Sequence, residues 1–244
     1  MRWIYLSPHL DDAALSAGGL IYGQTQSGVP VEIWTFMCGY PPESEYSAVA
    51  QSLHKLWGFS SAEETVRARR LEDQNAAALL GAKALHFDFL DCIYRRGKNG
   101  EWLYADVFSA PHADDANLPS QIAEAISTRL APDDVLLCQL SVGSHVDHVL
   151  VRQAAELLRR PLRYDIDVPY IFHKPAELEP KAAGMKESVQ GVAEPSLGRW
   201  QEAVLAYESQ IPTLGDVFDT PQKARESIQS YWAGRRGVRL FQSQ

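Results

Sequence analysis

Three cysteines in 244 residues, Cys38, Cys92 and Cys138, are too few and too far apart to make a disulfide framework or a zinc knuckle. Each lies in apolar sequence, so they read as reduced, buried thiols, and a cytoplasmic location is expected. No apolar run approaches the roughly 18 residues that cross a bilayer, and no basic segment followed by an apolar one opens the chain. Neither a membrane anchor nor a targeting segment is therefore expected. Basic charge is also scarce: Lys and Arg number 23 against 31 Asp and Glu, for a formal charge of −8, and they gather only in small clusters such as Arg67, Arg69, Arg70. That excludes a basic face for nucleic acid. There is no internal repeat, no low-complexity tract and no GxGxxG; Gly18-Gly19 does not match that fingerprint, which argues against a dinucleotide-dependent dehydrogenase. What remains is an ordinary globular composition, 45% hydrophobic and 22% charged. Its length suits one α/β domain spanning residues 1–244, with a C-terminal extension from about residue 174.

The most informative stretch is Ser7-Pro8-His9-Leu10-Asp11-Asp12, followed by small and apolar residues to Tyr22. Before it, Trp3-Ile4-Tyr5-Leu6 is a β-prone apolar run, so the pattern reads as strand, polar turn, helix. In an open parallel α/β sheet such a turn projects its side chains into the crevice outside the carboxyl ends of the strands. His9 and Asp12, three residues apart, can converge there on one ion, which leaves Asp11 for another role. Taken alone, the stretch is equally an N-cap with a neighbouring histidine.

Val31–Met37 and Ala84–Leu90 read as further strands, and a capped helix opening at Ser61 and closing at Gly81 separates them. Within that helix Arg69 and Glu72 can form an exposed pair or point into the crevice, and Asp91 follows the third strand on the crevice side. Residues 39–61 read as a lid, a substrate wall or a plain helical insertion. His54, His86 and His112 read as structural or solvent-facing. The apolar run Val135–Leu140 then ends in Ser141-Val142-Gly143-Ser144-His145-Val146-Asp147-His148, and a helix follows. Tyr164–Phe172 alternates as another strand with His173 just past it, and residues 174–198 read as a long surface loop where substrate or a second copy in a homo-oligomer could dock. Helices are expected over 200–211 and 221–232, with a closing strand at 238–241.

Two His-Asp clusters, each at the carboxyl end of a strand, are hard to explain as capping. Hydrolytic zinc sites take three His, Asp or Glu ligands and keep a fourth position for water. His9, Asp12 and His148 supply such a set, and ferrous iron suits similar ligands. Asp11 is placed as general base, and His145, oriented by Asp147, as oxyanion stabiliser and acid. Hydrolysis of an amide or ester is the reaction class these groups suit.

Pro8-His9-Leu10-Asp11-Asp12 resembles the PHPDD motif, and His145-Val146-Asp147-His148 the HPDH motif, of the zinc-dependent PIG-L/LmbE-like de-N-acetylases. Arg69-x-x-Glu72 with Ala76 and Leu80-Gly81 is similar to that family's RxxE helix, and Ala203–Gln210 to its late helix ending in Ser-Gln. The resemblance implies a Rossmann-like three-layer α/β sandwich with a mostly parallel central sheet and a metal site at the carboxyl ends of its strands. It assigns metal binding to His9, Asp12 and His148, base chemistry to Asp11, and sugar contacts to Arg69 and Asp91. The implied substrate is an acetylated amino sugar or glycoconjugate. Leu10 and Val146 replace the motif prolines, Ala13 stands where Glu is common, and Gly143 occupies a position where some thiol-pathway relatives have Tyr. An amidase on another small amide and a non-catalytic acyl-sugar binder are the alternatives; retention of both Asp11 and His145 argues against the binder.

Overall fold

A computed structural model describes residues 1–42 and 45–243 of the chain. Its elements run β1 (Trp3–Ser7), α1 (Asp12–Gln26), β2 (Val31–Met37), α2 (Ala48–Trp57), α3 (Ala62–Leu79), β3 (Lys83–Phe89), α4 (Leu118–Ser127) and β4 (Val135–Gln139). They continue α5 (Val146–Leu157), β5 (Leu162–Asp165), α6 (Tyr170–His173), α7 (Leu178–Lys181), β6 (Met185–Gly191), α8 (Glu194–Leu205), α9 (Pro221–Ala233) and β7 (Gly237–Ser243). The strands form one seven-stranded sheet in the order β3-β2-β1-β4-β5-β7-β6. The first five strands are parallel, and β7 runs antiparallel to both its neighbours.

Alternation along β1 sorts the core. Ile4 and Leu6 pack with Phe36, Ile122 and Val151 under α4 and α5, whereas Tyr5 faces Ile21, Ala76 and Trp200 under α1, α3 and α8. Three layers result, as expected. The small residues of α1 let α8 approach: a Cβ at Gly18 would stand 2.5 Å from the Trp200 ring. The Trp200 indole N–H donates to the carbonyls of Ala14 (2.7 Å) and Leu15 (3.2 Å), which fixes α8 on the helix that follows the first motif. Because β2 and β4 flank β1 on opposite sides, the loops after β1 and β4 line the crevice at the switch in strand order, where open α/β sheets bind ligands. No described helix is long and apolar enough to cross a membrane.

Two expectations change, and a third is narrowed. The strand expected over 164–172 stops at Asp165, because Asp167 turns inward to accept from the Val142 N–H (2.8 Å) and to meet His148, and Tyr170–His173 is helical. The loop expected over 174–198 contains the edge strand β6, whose polar Lys186-Glu187-Ser188 shows no apolar period; the backbone of β7 makes it a strand. Residues 39–61 hold α2, which carries Leu53 and Trp57 into the wall of a cavity, while residues 43 and 44 lie outside the described residues.

Candidate active site

The turn after β1 is held by Ser7, whose hydroxyl donates to the His9 carbonyl (2.8 Å) and accepts from the Ala13 N–H (3.2 Å). Asp11 occupies the N-cap position of α1 at φ 154°, ψ −34°, yet its side chain makes no capping bond. A non-glycine residue rarely adopts that conformation, and with the cap unused its carboxylate is left for chemistry. Asp12 reaches back instead: its Oδ2 accepts from the His9 N–H (2.8 Å) and lies 3.3 Å from both His9 Nδ1 and His148 Nε2.

The turn after β4 bends through three left-handed residues, Ser141, Gly143 and Ser144. It delivers His145 and His148 one helical turn apart. The ring nitrogens of His9, His145 and His148 lie within 4.8 Å of one another. His148 Nδ1 bonds Asp167 Oδ1 at 2.8 Å, and its Nε2, buried, makes no hydrogen bond. An imidazole pinned by a carboxylate on one nitrogen, with the other free of hydrogen bonds and facing a second carboxylate, is how proteins present histidine to a metal.

Asp147 does not orient His145 through its carboxylate, contrary to expectation. Residues i and i+2 of a helix face different ways. Fully buried, the carboxylate sits 3.1 Å from His9 Nε2 and 2.6 Å from Arg95 Nη1, and accepts from the Cys92 N–H (2.9 Å). The Asp147 backbone N–H instead donates to His145 Nδ1 (3.2 Å), so the His145 proton is carried on Nε2.

Arg69 points into the crevice and leaves Glu72. Its Nη2 lies 3.7 Å from Asp11 Oδ2 with the guanidinium over the Trp57 ring, while Glu72 accepts from the Ser209 N–H and hydroxyl. Asp91 Oδ2 lies 3.8 Å from His9 Nε2. His54 and His86 bond Tyr94 and Asp73 within the protein, and His112 is exposed, as expected. All the expected site residues except Asp147 and His148 line one cavity of about 440 Å³, and those two stand directly behind His9 and Asp12.

Charge crowding sets the protonation states. Burial and then the neighbouring Asp12 push the Asp11 carboxyl up to about 7, against the pull of Arg69. Burial would raise Asp12 as well, but the His148 charge and the His9 hydrogen bond outweigh it and hold it at about 2. His145 is driven well below the usual imidazole value by burial and by His9 and His148, so it stays neutral.

Sequence reasoning missed Asp167, Arg95 and Tyr170, the last of which lines the cavity. Asp167 had a signal: it follows a third parallel strand, as Asp12 and Asp91 follow theirs. Arg95 and Tyr170 had none.

Imidazoles and carboxylates gathered at a strand-order switch, one ring nitrogen bare, mark a hydrolase with a divalent-metal site. The chain belongs to the PIG-L family, whose model, described as GlcNAc-PI de-N-acetylase, matches residues 4–158. The zinc-inhibited form of a teicoplanin deacetylase is similar at 28% identity and a TM-score of 0.84, over 99% of this chain and 97% of that one. A deacetylase of the A40926 pseudoaglycone is similar at 27% identity and a TM-score of 0.76, over 99% and 96%. The N,N'-diacetylchitobiose deacetylase of Pyrococcus horikoshii, 16% identical over 99% and 82% with a TM-score of 0.59, shares the fold. No curated protein matches the chain.

Proposed function

We propose that the protein is a zinc-dependent deacetylase that hydrolyses the N-acetyl group of an N-acetylglucosamine-like sugar or glycoconjugate to acetate and a free amine. The buried Nε2 of His148, backed through the ring by Asp167, without a hydrogen bond and facing the Asp12 carboxylate, carries this reading. His9, Asp12 and His148 would hold the ion, with Asp167 and Asp147 fixing the two imidazoles from behind. When bound, the ion supplies a Lewis acid that polarises a carbonyl and lowers the pKa of water toward ~7.

Asp11, beside these residues but not needed as a ligand, takes the proton of the attacking water, and its raised pKa lets it return that proton to the leaving nitrogen. The neutral His145, with its proton on Nε2, donates a hydrogen bond to the carbonyl oxygen as it becomes negative. This keeps the oxyanion role expected for His145 and moves the expected acid role to Asp11. Arg69 and Asp91, on the cavity wall, bind sugar hydroxyls. Residues 1–244 act as one α/β unit, the extension from about 174 adding β6 and β7 to the sheet.

Elemental analysis of purified wild type and His148→Ala, with acetate release from N-acetylglucosamine conjugates measured on the same samples, tests this. One metal per chain, lost in the variant together with turnover, is expected. Reloading the stripped protein with zinc or with ferrous iron identifies the more active ion. Absence of metal after zinc is added back would overturn the mechanism.

A further inference from the structure

Arg95 stands just past the short helical turn Cys92–Tyr94 that follows β3, and it is buried together with the groups its guanidinium touches. Its Nη1 lies 2.6 Å from Asp147 Oδ1 and donates to the Leu90 carbonyl (3.0 Å), while its Nε lies 2.9 Å from Asp115 Oδ2. Asp115 is fixed in turn by the Tyr104 hydroxyl, which donates to that same oxygen (2.6 Å), and the Tyr104 ring centre lies 5.1 Å from the guanidinium carbon. Three charges are thus taken out of water in one place. Arg95 Nη2 is buried there without a hydrogen-bond partner among the described residues. A buried ion pair stabilises a fold no better than apolar side chains of the same size, so stability alone does not account for this guanidinium.

Its position sets the orientation of the Asp147 carboxylate. With Oδ1 against Arg95, Oδ2 accepts from the Cys92 N–H (2.9 Å) and faces His9 Nε2 at 3.1 Å. The proton on His9 Nε2 then has a fixed acceptor. The other ring nitrogen, Nδ1, is turned to Asp12 Oδ2 at 3.3 Å, the oxygen that His148 Nε2 also faces. An arginine carries its donors in a rigid plane, so one side chain can hold Asp147, Asp115 and the Leu90 carbonyl at set angles. The point charge of a lysine cannot.

We propose that Arg95 is a positioning residue for the metal ligand His9, acting through Asp147: it holds that carboxylate so that His9 Nδ1 is kept for the ion. Arg95 does not line the cavity and touches neither substrate nor reacting atoms. The inference rests on the deacetylase reading for the choice of His9 as a ligand. Partners of this kind behind a metal ligand are worth about 10–100-fold in metal affinity.

The test is a cycle of four proteins: wild type, Arg95→Lys, Asp147→Asn and the double variant, with zinc affinity read by competition with a chelator. Arg95→Lys keeps the buried positive charge, and the melting temperature without metal reports its structural contribution separately. It should bind zinc about tenfold more weakly than wild type, and its cobalt-loaded form should show a shifted visible absorption band. In the Asp147→Asn background the same change should alter affinity by no more than about twofold, because the route through the carboxylate is already gone. An equal loss in both backgrounds would overturn the proposal by making Arg95 a general support of the fold. Wild-type affinity and an unshifted cobalt band in Arg95→Lys would overturn it too, while leaving the deacetylase reading in place. Should wild type itself bind no zinc, the deacetylase mechanism fails and the role of Arg95 with it.

Discussion

The two ends of the same parallel strands treat charge in opposite ways. At the amino ends Arg2 lies between Asp134 (2.6 Å) and Glu32 (2.9 Å), partly in water, with each charge answered by another. At the carboxyl ends Asp11, Asp12, Asp91, Asp147 and Asp167 crowd into one buried region, and the permanent cations among them are Arg69 and Arg95. One end is balanced and serves stability. The other leaves its carboxylates to be answered in part by His9 and His148, whose protons they hold above the usual imidazole range and which a bound divalent cation would displace.

Substitutions should separate the two ends. Asp12→Asn is expected to lower acetate release by at least about 10³-fold, since a metal supplies several kcal/mol to the transition state. Its melting temperature in the metal-free state should fall, because the Asp12 carboxyl, held at about 2 by the His148 charge and the His9 hydrogen bond, stabilises the fold as the anion; an unchanged value would break the comparison. Asp167→Asn removes the partner of His148 Nδ1 and should weaken zinc affinity about 10–100-fold, read by competition with a chelator.

A base must be deprotonated to work, and a cation held by Asp12 would draw the Asp11 carboxyl below the value of about 7 it has in the empty site, so kcat/KM should climb about tenfold per pH unit on an acid limb whose midpoint lies below 7 and then level off. Asp11→Asn should flatten the profile along with the rate. At the other end Arg2→Ala should cost about 1 kcal/mol of unfolding free energy in a denaturant titration and leave kcat unchanged. The smallest effect concerns Asp134. Burial raises its pKa, but the Arg2 hydrogen bond outweighs this and holds it below the usual carboxylate value. Its contribution is therefore present above the unfolded carboxyl pKa of about 3.9 and lost as pH falls through the lower folded value. Wild type and Asp134→Asn should differ in stability at neutral pH and converge in acid.

Much of this was legible in the chain. Apolar β-prone runs gave β1, β2, β3 and β4, and two of them ended in His-Asp clusters that the fold places face to face. Ser61 caps α3 as expected, its hydroxyl accepting from the Glu64 N–H (3.1 Å), although Glu64 reaches back to Ser60 and leaves Ser61 alone. Legibility ended where partners are distant. Lys186, Glu187 and Ser188 become a strand because β7 lies beside them, a pairing no local period records. Asp147 and His145 are neighbours in sequence, but helix geometry turned the carboxylate toward His9, 138 positions away. Arg69 showed both options at once, and only the placement of Asp11 and Trp57 selects the crevice.

The contact of Trp200 with the first helix also has a meaning in time. Its indole bonds Ala14 across 186 positions of sequence, so the helix that presents Asp11 and Asp12 lacks its outer support until the last quarter of the chain has been made. At ribosomal rates that interval is roughly 10 to 40 s. During synthesis the first motif is an exposed peptide with an imidazole and two carboxylates, competing poorly for metal. The ion should therefore join late, after release, and overexpression in metal-poor medium should yield folded apoprotein that zinc activates within the time of mixing.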